Sequence, residues 1–435
     1  MLRIIKRADE AQAELQRISQ RTYDERIRDK EDAVRALFPT VRQGGDRALL
    51  DYTAQFDGQT LAPEQLRVSG AELDAAYQQV SRQFIDAIRL ARRQIEAFHR
   101  QRVPRSWVQF GSDEVVLGKR YTPVARAGLY IPGGQAAYPS TVLMNAIPAQ
   151  VAGVPRRVMV TPPGPEAQVM PAVLVAAQEA GIEEIYRVGG AQAIAGLTFG
   201  TETLPAVDVI TGPGNIYVTL AKKLAYGTVG IDSLAGPSEV LVIADGNADP
   251  VRVAADLLAQ AEHDWMAAAI LLTPDASLAE AVQAQVEQQL QGHPRRTLTE
   301  KAIAHYGAIA VVDSLEQAAE LSNGFAPEHL ELEVSDPWTL LEAIEHAGAI
   351  FLGYATPEAV GDYLAGPNHT LPTSGAARYA SALGVETFLK HSSLVQYSDA
   401  ALAKVSDAIQ TLAQTEGLHS HVQSVRYRTQ DDASA

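Results

Sequence analysis

The chain has 435 residues and no cysteine, with 36 basic against 52 acidic side chains and a formal net charge of −16. Its length predicts two or three domains, each able to bury a core without staples. The acidic balance argues against a nucleic-acid-binding stripe or adhesion to an acidic membrane, and the missing cysteines exclude disulfides, thiolate metal sites and cysteine nucleophiles.

The N-terminal stretch MLRIIKRADEAQAELQRISQ carries charges from Arg3 onward. It therefore lacks a signal-peptide core, and its acids oppose a transit peptide. No apolar run approaches the ~18 residues of a membrane span, so the expected setting is soluble and cytoplasmic. YDERIRDKEDAVRALFPTVRQ and FIDAIRLARRQIEAFHRQ repeat apolar residues three and four apart, which predicts amphipathic helices. WVQFGSDEVVLGKRYTPV switches to shorter alternation and predicts two or three strands.

From about residue 125, short apolar strands end in glycine or proline turns: GLYIPGG, RVMVTPPG, EIYRVGGAQ, VDVITGPGN. Alanine-rich helices such as MPAVLVAAQEAG lie between them, and EVLVIADG is expected to close this unit. A second run follows through DPVRVAADLLAQAEHD, AAAILLTPD, SLAEAVQAQVEQQLQG, GAIAVVDS, DPWTLLEAIEHA and GAIFLGY. Strand, loop and helix in repetition predict an α/β fold with two parallel sheets in tandem. After about 380 a polar, mostly helical tail is expected, with its last residues disordered.

Four constellations stand out. The GPGN turn ends in Asn215, and VGGAQAIAG holds Gln192; both follow strands, where glycines let a backbone approach a phosphate. Ordinary tight turns explain them equally well, and no G-x-G-x-x-G occurs at the first turn. In AQAEHD, Gln260 and His263 are three apart on a helix that starts at Asp249-Pro250, so one face could present both to a metal or simply to solvent. Asp362 and His369 flank a Gly-Pro turn, as a functional loop would. In TEGLHSH, Glu416, His419 and His421 cluster near the end; histidines two apart face different sides of a helix, so at most one serves an inward-facing site. His99, His293, His305, His346 and His391 read as surface residues.

The stretch SNGFAPEHLELE sets Glu328 beside His329. Pro327 biases Ala326 away from helical geometry and pre-sets a new turn, so both residues are expected in the first turn of a helix. Two readings stay open: a helix-start acid next to a surface histidine, or an acid/base pair titrating near neutrality.

LYIPGG, GGAQAIAGLTFGT, GPGN, LAGPSEVLVIAD, LLAQAEHD, NGFAPEHLEL, GPNHTLPTSGAARYASALGV and EGLHSH occur in this order. Over roughly residues 25 to 425 the chain resembles the histidinol dehydrogenases. The resemblance implies a four-electron oxidation of L-histidinol to L-histidine through bound histidinal, with two NAD reduced, one zinc ion per site and a homodimer of intertwined chains. It implies zinc ligands at Gln260, His263 and Asp362, with His421 supplied by the partner chain; His419 is the nearby alternative. It implies an acid/base pair at Glu328 and His329, substrate contacts at Ser238, His369 and Glu416, and NAD contacts at Tyr130, Gln192 and Asn215. The implied fold has two incomplete Rossmann-like parallel-sheet domains, a helical N-terminal segment and a small swapped C-terminal tail. The expected boundaries are 1–24 for the arm, 25–128 with 238–380 for the metal and acid/base domain, 129–237 for the NAD domain and 381–435 for the tail.

The residue chemistry agrees. Oxidising an aldehyde requires a tetrahedral adduct that expels hydride. Without a thiol, water must add instead, and Glu328 is the natural base for it. His329 would take the alcohol proton. The nitrogen and oxygen ligand set differs from closed structural zinc and suits a metal that positions substrate. A related dehydrogenase of a small sulfonated diol, or a zinc hydrolase using Glu328, would share parts of this pattern.

Overall fold

A computed structural model describes residues 2–21, 27–133 and 138–429. The expected start of the first long helix, the end of the GLYIPGG turn and the expected disorder of residues 430–435 lie outside the described residues.

In chain order, β1 (Arg3–Ile5), α1 (Ala8–Ser19), α2 (Ile27–Asp57), α3 (Gly70–Ala76) and α4 (Arg82–Arg100) come first. Next are β2 (Trp107–Phe110), β3 (Val116–Pro123), β4 (Arg126–Tyr130), α5 (Pro139–Val151) and β5 (Arg156–Thr161). Then follow α6 (Pro171–Glu179), β6 (Glu184–Arg187), α7 (Gly190–Phe199), β7 (Val209–Thr211), α8 (Ile216–Ala225) and β8 (Gly230–Ile231). The second run is β9 (Glu239–Ala244), α9 (Pro250–Ala261), β10 (Ala268–Thr273), α10 (Ala276–Leu290), α11 (Arg296–Tyr306) and β11 (Gly307–Val311). It continues with α12 (Leu315–Phe325), β12 (His329–Glu333), α13 (Pro337–Leu341), β13 (Ala349–Leu352) and α14 (Glu358–Tyr363). Last come β14 (Leu389–Gln396), α15 (Asp399–Thr415) and α16 (His419–Thr429).

Two compact units divide the chain: Met1–Arg102 with Val124–Phe388, and Val103–Pro123 with Leu389–Ala435. The larger holds both parallel sheets. One has the order β6-β5-β4-β7-β8, the other β1-β11-β10-β9-β12-β13. Counted from β4, the first reads 3-2-1-4-5, the order of a Rossmann half. Counted from β9, the second repeats that order and adds β1 at its edge. Buried apolar runs such as EVLVIA in β9 and AAILLT in β10 suit strands covered on both faces.

EVLVIADG thus does not close the first run. It forms the centre of the other sheet, between β10 and β12. The expected domain boundaries also run differently from the packing. The apolar stripe of α2 (Val34, Leu37, Phe38, Val41) packs with Ala193, Ile194 and Leu197 of α7 on the β4 sheet. Helix α4 packs on α5 and α6. Residues 1–24 are more than a helical arm, because β1 pairs with β11 and α1 packs on α12. His99 is a further correction: it lies on the buried stripe of α4, only 3% exposed.

The smaller unit is an antiparallel sheet, β14-β3-β2, with the paired helices α15 and α16. The tail therefore adds a long strand to the expected helices. Two of that sheet's apolar side chains, Phe110 and Val395, are 77% and 68% exposed.

Among the described residues no helix is long and apolar enough to cross a membrane.

Candidate active site

Glu328 and His329 do not open a helix. Ala326, at φ +57°, caps α12 in the left-handed region, and the chain then runs straight into β12. The cause lies in HLELE, whose leucines alternate. Leu330 and Leu332 pack into the core with Leu241 and Ile243 of β9. His329, Glu331 and Glu333 share the opposite face, and all five residues are buried.

His329 and Glu239 are the first residues of adjacent parallel strands. The site thus lies at the amino ends of β9 and β12. Glu239 anchors the pair through its backbone. Its N–H donates to Glu328 Oε2 at 2.9 Å, and its carbonyl lies 3.0 Å from His329 Nδ1. Gln260 Nε2 lies 2.9 Å from the same ring nitrogen. Nδ1 can serve only one of these partners at a time: protonated, it donates to the Glu239 carbonyl; unprotonated, it accepts from Gln260. Both protonation states of the imidazole therefore have a waiting partner.

The Glu239 side chain is held by Arg21. The two are 3.0 Å apart and fully buried, and Arg21 also donates to the carbonyls of Ile18, Met266 and Pro237. Arg21→Met should cost about 3–5 kcal/mol in chemical denaturation, because it strands a buried carboxylate under the site. A cost below about 1 kcal/mol would mean that Glu239 finds another countercharge.

Burial pushes the Glu328 carboxyl up to about 8 and that of Glu358 to about 7. For His329, burial acts downward, but the carboxylates of Glu358, Glu328 and Asp362 outweigh it and hold the imidazolium well above its usual range. Those carboxylates lie 3.9, 3.7 and 3.8 Å from the ring nitrogens.

A metal-compatible cluster adjoins the pair. One ligand atom each from His263, Glu358 and Asp362 falls within 4.8 Å of the others. Gln260, His263, Glu358 and Asp362 come from the end of α9, the turn after it, and both ends of α14. Gln260 Oε1, His329 Nε2 and Glu358 Oε2 are buried without a hydrogen-bond partner. The two orphaned oxygens, Gln260 Oε1 and Glu358 Oε2, suit a cation bound by oxygen together with the His263 nitrogen. Glu358 went unread in the sequence, although its spacing of four from Asp362 on a helix was the available signal.

A second acidic group extends along the same seam. Asp256, four residues before Gln260 on α9, meets Glu331 and Glu333 within 4.8 Å. The Glu358 backbone N–H donates to Glu331 at 2.7 Å. Burial pushes Glu333 up to about 8.

The other expected residues are placed as follows. Ser238 directly precedes β9, and its carbonyl accepts the Ala268 N–H. His369 spans 3.0 Å from Nδ1 to the Asp362 carbonyl and 3.2 Å from Nε2 to the Thr141 hydroxyl of α5. Both its ring nitrogens are engaged, so a ligand bound through Nε2 would replace Thr141. Tyr130 ends β4, and its hydroxyl oxygen accepts the Gly190 N–H at 3.1 Å. Gln192 lies beside that contact, buried, with Nε2 unpartnered. Asn215 caps α8, accepting from the N–H groups of Tyr217 and Val218.

The GPGN turn is fixed by a buried ion pair. Lys222, paired with Asp232, donates to the Gly212 carbonyl at 2.9 Å, while Asp232 accepts the Gly212 N–H at 2.8 Å. Gly212 has φ +117°, and a Cβ there would collide with the Tyr130 carbonyl. Only glycine fits this approach. Glu416, His419 and His421 belong to the smaller unit and are exposed around the junction of α15 and α16.

The family model described as histidinol dehydrogenase matches residues 20–429. A histidinol dehydrogenase of Thermosynechococcus vestitus is 72% identical over 430 residues, covering 99% of this chain and 100% of the relative. Histidinol dehydrogenase 2 of Trichormus variabilis is 71% identical over 432 residues, with coverage of 99% and 100%. The crystal structure of histidinol dehydrogenase from Elizabethkingia anophelis superposes with a TM-score of 0.90 at 38% identity, covering 98% of this chain and 97% of that one. With this agreement along its whole length, the chain belongs to the histidinol dehydrogenase family of oxidoreductases.

Proposed function

We propose that this chain oxidises L-histidinol to L-histidine in two NAD-linked steps at one site, as a cytoplasmic homodimer. The observation that carries this reading is the buried Glu328–His329 pair, pinned to the Glu239 backbone beside the orphaned Gln260 oxygen. A zinc ion held by Gln260, His263 and Asp362, with His421 of the partner subunit, would fix the substrate's imidazole and amine. A bound nicotinamide, held on the side of Tyr130, Gln192 and Asn215, would supply the hydride acceptor for each oxidation.

The remaining steps belong to the protein's own groups. His329, in the neutral form whose Nδ1 accepts from Gln260, takes the alcohol proton at Nε2 as the first hydride leaves. Water then adds to the aldehyde, and Glu328 takes the proton of that water, since the chain offers no thiol to form the adduct. The second hydride leaves the deprotonated hydrate, and loss of its remaining hydroxyl proton to solvent gives the carboxylate. His369 and Glu416 are read as substrate contacts, and Ser238 as a contact at the β9 entrance. Tyr130, Gln192 and Asn215 are read as the cofactor side, where a backbone locked around Gly212 and the N-termini of α7 and α8 suit a dinucleotide. The largely exposed Phe110 and Val395 support burial of the smaller sheet against a second copy.

The test is the NADH formed per L-histidinol consumed, before and after chelation. Two NADH, lost with a chelator and restored by zinc, is the expected result. One NADH would refute the role given to Glu328, and turnover that survives complete chelation would refute the metal.

A further inference from the structure

Arg21 reaches from the end of α1 to the starts of β9 and β10, and each of its five N–H groups faces an acceptor. Nε donates to the Met266 carbonyl at 2.8 Å. Nη1 donates to the Ile18 carbonyl at 2.9 Å and to Glu239 Oε1 at 3.0 Å. Nη2 donates to the Pro237 carbonyl at 3.1 Å and approaches that of Ser238 at 3.5 Å. The Tyr306 ring, at the end of α11, lies against the guanidinium with its centroid 5.8 Å away.

A countercharge for Glu239 needs only one of these bonds. Two others go to the residues just before it, so the fork grips Pro237, Ser238 and Glu239 in succession. Glu239 Oε2 is buried without a hydrogen-bond partner, which leaves its carboxylate dependent on Arg21. The same stretch is held from its other side, where the Gly236 N–H donates to Thr373 Oγ1 at 2.5 Å.

The two members of the acid/base pair depend on this stretch unequally. Among the described residues, one hydrogen bond holds the Glu328 carboxylate, from the Glu239 N–H at 2.9 Å. His329 Nδ1 has two partners, the Glu239 carbonyl and Gln260. The neutral imidazole that begins the alcohol step rests on Gln260. A shift of the Glu239 backbone therefore frees Glu328 and leaves that imidazole anchored.

We infer that Arg21 is a positioning residue for the aldehyde oxidation. By clamping residues 237–239 it fixes the Glu239 N–H, and through it the orientation in which Glu328 takes the proton of water. This role rests on the reading of Glu328 as the base for that water.

The experiment measures two rates on the zinc-loaded enzyme with NAD: formation of the first NADH from histidinol, and consumption of added histidinal. It compares the unaltered chain, Arg21→Lys, Glu328→Gln and the double variant, with folding checked by thermal melting. Lysine keeps the countercharge for Glu239 but loses the planar fork. Arg21→Lys should slow histidinal consumption about tenfold or more and leave the first oxidation within about threefold. In the Glu328→Gln background the same substitution should change histidinal consumption by less than about threefold, because the base it positions is gone. Thr373→Val removes the acceptor of the Gly236 N–H and no buried charge. It should reproduce the selective loss at about threefold or more, and it decides the question if Arg21→Lys does not fold. Equal slowing of both oxidations, an unchanged aldehyde step in the folded variants, or the same loss with and without Glu328 overturns the role of Arg21 alone. A Glu328→Gln enzyme that slows both oxidations alike overturns the underlying reading as well.

Discussion

Glu328→Gln should leave the first oxidation within about tenfold of the unaltered enzyme and slow the second by about 10²–10⁴. The substitution keeps shape and anchoring. A glutamine carbonyl can still accept the Glu239 N–H that holds Oε2 at 2.9 Å. What it loses is the ability to take a proton, which under the proposed mechanism only the aldehyde step requires. NADH yield should fall from two per histidinol towards one. Added histidinal should be consumed slowly, although histidinol is still turned over.

The pH dependence carries an independent signature. Burial raises the Glu328 carboxyl to about 8, so below that pH the base is mostly protonated. The aldehyde step should therefore rise with pH, about tenfold per unit below 8, and level off above it. Glu328→Gln should remove this limb. Equal loss in both oxidations would leave Glu328 a positioning group only.

Much of the fold was legible because parallel strands buried on both faces read as apolar runs between glycine turns. The starts of α8 and α9 were legible through their caps, Asn215 and Asp249-Pro250. The Glu328–His329 pair stood out in the sequence, but its expected helix start is a strand. Polar positions two apart in a strand ordinarily mark a solvated face. In HLELE they face α9 instead, and the proline after Ala326 imitates a helix start. Glu239 was hidden for another reason. Which sheet a strand joins depends on partners far along the chain, and EVLVIADG looks the same in either. Arg21 shows the same limit, since its partner Glu239 is 218 residues away. Local pattern shows that a residue is polar; only the assembled sheet shows that it is buried.

Mixing two inactive variants, Asp362→Asn and His421→Asn, should restore about a quarter of full activity at equal ratios if each site draws on two chains. On the proposed shared site, each variant alone would lack one metal ligand at both sites of a dimer and should lose about 10²-fold or more. Random exchange makes half of the dimers mixed, and each mixed dimer carries one site with both defects and one with neither. The case for a shared site rests on placement. Asp362 sits on α14 beside His263 and Glu358, 3.8 Å from His329. His421 stands exposed in the first turn of α16, in a separate compact unit whose sheet leaves Phe110 and Val395 uncovered. On the proposed reading, His421 on its exposed helix would serve a neighbouring chain's metal, and the exposed Phe110 and Val395 would be covered by that chain. A second copy of the chain would meet both requirements of that reading. Subunit exchange should be verified by mass-tagged chains. Exchange without recovery would place the whole site within one chain and leave the tail a structural element alone.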